Sequence, residues 1–156
     1  MLLVKKQGYF SDIDTKTKFS GRIDEDFVKY QLANLKQLTF EVTDKCNLNC
    51  TYCAYGHLYG DYDQRKSSFL SFYDAKKIID FLVPYFNSEL NKSSSSTFYI
   101  SFYGGEPLLG FNFIKQVVSY VSKLRINRTI KFSMTTNALL LEKYIDYLVE
   151  QDFNPN

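Results

Sequence analysis

Three short apolar runs, Leu38–Val42, Phe98–Phe102 and Ile130–Met134, read as strands. Each is followed by a segment whose apolar positions recur at helical spacing. The first stripe is Ala75, Ile78, Ile79, Leu82 and Phe86. The second is Ile114, Val117, Val118, Val121 and Leu124, and the third is Leu141, Tyr144, Ile145, Leu148 and Val149. Ser71-Phe-Tyr-Asp74 matches a capping box at the start of the first stripe, and Pro84 predicts a kink or an early stop near its end. Strand followed by helix, three times over, predicts an α/β fold with parallel strands and right-handed crossovers. Residues 1–37 read as an N-terminal extension, where Gly8, Gly21 and the polar stretch Ser11–Thr17 suggest turns and short strands. A short helix over Asp24–Leu35 would turn Phe27, Tyr30 and Leu35 inward. Residues 38–156 make up the main domain, and its polar link Asn91–Thr97 is expected to be a mobile surface loop.

Ligands of parallel α/β folds gather at the carboxyl ends of the strands. Every chemically informative stretch of this chain falls there. After the first strand comes Cys46-Asn-Leu-Asn-Cys50-Thr-Tyr-Cys53, which holds all three cysteines of the protein in eight residues. After the second comes Gly104-Gly-Glu-Pro107, and after the third Thr135-Thr-Asn137. Packing alone gives no reason for that coincidence. Three cysteines are an odd number on very short loops, which argues against a disulfide framework. Three thiolates on one loop can bind three irons of a [4Fe–4S] cluster and leave the fourth iron open. A structural zinc site is the alternative, with His57 completing a Cys3His set.

The C-x3-C-x2-C spacing, the aromatic Tyr52 before the last cysteine and the Gly-Gly-Glu-Pro motif together resemble the radical S-adenosylmethionine (radical SAM) superfamily. Within it the resemblance is closest to peptide- and protein-modifying enzymes of the SPASM type, and it covers residues 38–153. It implies that Cys46, Cys50 and Cys53 ligate a [4Fe–4S] cluster. Gly104, Gly105 and Glu106 would seat the methionyl end of SAM, with the Glu106 carboxylate facing the pocket, and the backbone at Tyr52 would contact the adenine. Asn137 stands where the family often shows Thr-Asn-Gly. Ala138 replaces the glycine, which leaves a SAM contact and plain helix-entry chemistry both open. The implied reaction is reductive cleavage of SAM to a 5′-deoxyadenosyl radical that modifies a peptide or protein, with a one-electron donor such as flavodoxin or ferredoxin. No residue stands out as a substrate base or radical relay.

Composition excludes other classes. The net charge of +2 is too small to argue for nucleic acid or an anionic membrane surface, and the start of the chain is unlike a secretory signal. The expected location is cytoplasmic, where thiols stay reduced. The resemblance also sets a size expectation, because the family domain is a six-stranded partial barrel and only three strands are legible here. The chain therefore reads as the N-terminal half of such a domain, not active alone. An inactive or partner-completed iron–sulfur or zinc module is the other reading.

Overall fold

A computed structural model describes residues 23–53, 66–93 and 97–155. The order of elements is α1 (Glu25–Ala33), β1 (Gln37–Thr43), α2 (Phe72–Phe86), β2 (Thr97–Gly104), a single 3-10 turn (Pro107–Gly110), α3 (Phe111–Val121), β3 (Thr129–Met134), α4 (Leu141–Glu150) and β4 (Phe153–Pro155). The strands form one open sheet in the order β1-β2-β3-β4, and every pair is parallel. The three expected strand–helix units are present. The chain then returns to the sheet, where Phe153 pairs beside Phe132 as a short fourth strand.

Alternation along the strands separates two unlike faces. Phe40, Val42, Phe98, Ile100, Phe102, Phe132 and Met134 join Ile79, Leu82, Phe86, Ile114, Val117, Val118 and Leu148 of the helices in one core. Edge-on ring contacts of Phe113 with Phe40 and Phe102 lock α3 onto that face. The opposite face is polar. Register places Gln37, Tyr99 and Lys131 in one row, Thr39, Ser101 and Ser133 in the next, and Glu41 beside Tyr103 at the carboxyl end. Ser101 and Ser133 are buried, and their hydroxyls bond each other at 2.6 Å, with Gln37 Nε2 donating to Ser101 Oγ at 2.9 Å. A one-sided sheet of this kind is a partial (β/α) barrel, with its polar face where a barrel interior would be.

Several expected faces are rotated in the structure. Phe27 and Tyr30 of α1 are exposed, and Ala33 is the buried residue, with Leu32 and Leu35 against the core. Ala33 is held from two sides, by its packing and by Arg128 Nη1 donating to its carbonyl at 3.3 Å. Ile78 of α2 points outward, as do Ile145 and Val149 of α4. In α4 Tyr144 and Tyr147 take the inward places, stacked on and edge-on to Phe111. Pro84 lies in the last turn of α2, and the helix continues through it to Phe86, because so late a proline interrupts little of the backbone ladder. The N-cap half of the capping box forms: Ser71 Oγ accepts the N–H of Asp74 at 3.2 Å, and its hydroxyl donates to the Asp74 carboxylate at 2.7 Å. Of the polar link, residues 94–96 lie outside the described residues.

Candidate metal and cofactor site

β1 does not end cleanly. The register slips between Glu41 and Thr43, so Val42 and Thr43 are both buried where alternation would expose one. Bulges of this kind re-aim side chains at sheet ends, often beside active sites. Here the bulge turns Thr43 into the base of the cysteine loop. Its hydroxyl donates to the Ser68 carbonyl at 2.5 Å and accepts the N–H of Lys45 at 3.0 Å. Asp44 reaches the same returning segment, accepting from Lys66 N at 2.5 Å and Ser68 N at 2.7 Å. Burial opposes the charge on Asp44, but these backbone donors outweigh it and hold its carboxyl below the usual range. A bridge between Thr43 and Phe69, with Leu70 N donating to Val42 O at 2.9 Å, completes the closure. The cysteine loop is thus stapled where it leaves the sheet and where it returns.

The Gly-Gly-Glu-Pro turn grips that loop from the other side. Gly105 N donates to Thr43 O at 2.7 Å and Glu106 N to Lys45 O at 2.9 Å, extending the β1–β2 ladder up to the residue before Cys46. The two glycines are required by this approach. A Cβ on Gly105 would sit 2.3 Å from Lys45 O, and one on Gly104, whose φ is +133°, would sit 2.3 Å from Thr43 O. The missing Cβ atoms make room for the stem of the cysteine loop.

Glu106 departs from expectation. The carboxylate was expected to face a pocket, yet the residue is fully buried. Its Oε1 accepts from Leu108 N and Thr136 Oγ1, both at 2.8 Å. Its Oε2 accepts from Asn137 N at 2.8 Å and from Thr136 Oγ1 at 3.0 Å. The freed backbone N–H groups at the ends of β2 and β3 need an acceptor, and a buried carboxylate supplies one. Glu106 therefore joins the second motif to the third.

Asn137 closes the circuit. Its side-chain nitrogen lies 2.8 Å from Asn47 Oδ1 and 3.6 Å from Cys46 Sγ. Cys46 Sγ also accepts from Leu48 N at 3.4 Å. The three cysteines are free thiols of intermediate exposure, and Cys53 N donates to Cys50 O at 3.2 Å across the turn between them. Tyr52 is 84% exposed. The neighbouring Cys50 sulfur, chiefly through a hydrogen bond, holds the Tyr52 phenol above the usual value. All three sequence motifs thus meet at one end of the sheet. Sequence reasoning missed Thr43 and Asp44, whose short polar side chains at the end of a strand are the signal for such a clasp.

An all-thiolate donor set on one loop, with N–H groups aimed at a sulfur, suits an iron–sulfur cluster. Among the described residues no three Cys, His, Asp or Glu side chains converge as they would around a single ion, and His57 lies outside those residues. A recess of about 640 Å³ on the outer side of α2 and α3, lined by Phe72, Lys115, Tyr120 and Lys123 among others, shares no residue with this site.

A parallel sheet with a three-cysteine loop, a Gly-Gly-Glu-Pro turn and a Thr-Thr-Asn turn at its carboxyl end is the arrangement that the motif resemblance predicts. Residues 40–154 match the Radical SAM superfamily, and the chain belongs to it. It is 36% identical over 119 residues to an uncharacterized protein of Methanocaldococcus jannaschii, covering 76% of this chain and 36% of that one. It is 32% identical over 115 residues to a probable GTP 3′,8-cyclase of Methanococcus aeolicus, covering 73% and 33%. It is 30% identical over 126 residues to the radical SAM cyclopropyl synthase TigE of Paramaledivibacter caminithermalis, covering 73% and 25%. The chain spans about a quarter to a third of the length of these relatives. Among the described residues no helix is long and apolar enough to cross a membrane.

Proposed function

We propose that this chain supplies the cluster-binding part of a radical SAM enzyme. In this reading Cys46, Cys50 and Cys53 hold a [4Fe–4S] cluster with one iron left open for SAM. The backbone of Gly104 and Gly105 and the turn at Glu106 shape the seat of the methionyl end, and Tyr52 and Asn137 flank it. When bound, the cluster and SAM together supply one-electron reductive cleavage and a carbon radical that abstracts hydrogen. The protein's own share is geometric. Thr43 and Asp44 fix the loop's base, the glycines bring β2 against its stem, and Glu106 holds the end of β3 beside it. The observation that carries the reading is the approach of Asn137, Cys46 and the Gly-Gly-Glu-Pro turn to one another at the carboxyl ends of parallel strands. The polar face of the sheet below, beginning with Glu41 and Tyr103, would receive the substrate.

For the substrate we propose a peptide or protein, on the motif resemblance, with a flavodoxin or ferredoxin as electron donor and the cytoplasm as location. The relatives named GTP 3′,8-cyclases favour a nucleoside triphosphate instead. Saturable binding of GTP, and none of a peptide, by the chain would decide for that second reading. The cofactor assignment itself is tested by electron paramagnetic resonance of the anaerobically reconstituted, reduced chain. Addition of SAM should change the spectrum, because SAM ligates the open iron. A spectrum indifferent to saturating SAM would contradict it.

A further inference from the structure

Asn137 is oriented by its surroundings in a way that a ligand contact would not require. Its backbone N–H is held by Glu106 Oε2 at 2.8 Å. Its side-chain Oδ1 accepts the N–H of Leu139 at 3.1 Å, made possible by the left-handed turn at Ala138, whose φ is +64°. That bond settles which end of the amide is oxygen, since only oxygen can accept it. The nitrogen is therefore turned toward the cysteine loop, and its two hydrogens match two acceptors there, Asn47 Oδ1 and Cys46 Sγ. Both polar atoms of the amide are thus engaged with protein partners.

We infer that Asn137 donates a hydrogen bond to the cluster-ligating thiolate of Cys46 and so raises the reduction potential of the cluster, with Glu106 as the positioning residue that holds it there. The inference rests on the cluster assignment under Proposed function. An N–H donor draws negative charge from a ligating sulfur, and the cluster gains negative charge on reduction, so the donor favours the reduced form. Leu48 N makes a second bond of the same kind from within the loop. Asn137 differs in coming from β3, so this bond ties the cluster's electronics to the packing of β3 against β2. A residue that served only to contact SAM would leave the potential unchanged when SAM is absent.

The test is a redox titration of the anaerobically reconstituted chain without SAM, followed by the resonance signal of the reduced cluster, with iron and sulfide measured on each sample. Asn137→Asp keeps an oxygen for Leu139 N and replaces the donor with a negatively charged acceptor. Asn137→Ala removes the side chain altogether. Both should move the midpoint to more negative potential, Asp further than Ala. At a fixed ambient potential, loss of one net hydrogen bond lowers the reduced-to-oxidised ratio roughly twofold to tenfold. Unchanged midpoints in loaded variants, or a shift to more positive potential, would overturn the inference and leave the cluster assignment standing. A wild-type chain that takes up no iron would overturn the assignment first and the inference with it.

Discussion

Glu106 Oε2 accepts the backbone N–H of Asn137 at 2.8 Å across 31 residues of sequence. The bond joins the turn after β2 to the end of β3, and through the Asn137 side chain it reaches the first of the three cysteines. A carboxylate recognisable from its motif as a ligand-facing group is the internal brace of the site.

That brace gives Glu106 a direct share in the stability of the site. Glu106→Ala would leave the buried N–H of Leu108 and the part-buried N–H of Asn137 without this acceptor, at about 1–3 kcal/mol for the first and somewhat less for the second. Urea unfolding should show a loss of about 2–5 kcal/mol for Ala and a smaller one for Gln, whose amide nitrogen must oppose one of the donors. Wild-type stability in Glu106→Gln would return the carboxylate to a role facing ligand.

Gly105→Ala should lower both stability and iron uptake. The added methyl meets the backbone of Asp44 and Lys45, which cannot give way as a flexible side chain can, and Cys46 follows directly. A loss of at least about 2 kcal/mol is expected. Gly110→Ala is the control, since its methyl presses on the Val42 side chain 2.4 Å away. It should destabilise the fold yet leave iron content per folded chain unchanged. Normal iron uptake by Gly105→Ala would show that the stem's position does not matter.

Asp44 gives the loop a pH dependence. Its folded pKa lies below the unfolded reference of 3.8 because Lys66 N and Ser68 N stabilise the charged form against the opposing effect of burial. The clasp's contribution is therefore full above about pH 4 and is lost as pH falls through the lower, folded value. Exchange protection of the amides of Lys66 and Ser68 should fall below pH 4 in the wild type. In Asp44→Asn it should be low at every pH. Equal protection in the two proteins would remove Asp44 from the clasp.

Much of this was legible from residue order. The three strand–helix units, the capping box at Ser71 and the placing of every motif after a strand follow from periodicity and turn chemistry. What periodicity does not encode is which neighbour a face meets. Val149 and Ile145 fit a helical stripe as well as Tyr144 does, but Phe111 offers a ring to stack on and so selects the tyrosines. Phe27 and Tyr30 lose to Ala33 because Arg128 and the core draw the other end of α1 inward. The same limit applies at the site. The cysteines and glycines announce themselves by spacing, whereas the direction of the Glu106 carboxylate depends on donors supplied by Thr136 and Asn137, beyond an intervening helix.

The central claim is that three thiols on one braced loop hold an iron–sulfur cluster. It is tested most directly by iron, sulfide and zinc analysis of the anaerobically reconstituted chain beside Cys46→Ala, Cys50→Ala and Cys53→Ala. The wild type should carry about four iron and four sulfide, as a [4Fe–4S] cluster requires, with a broad visible band that bleaches in air. Each variant should lose the band. A wild-type chain that binds one zinc and takes up no iron would contradict the account.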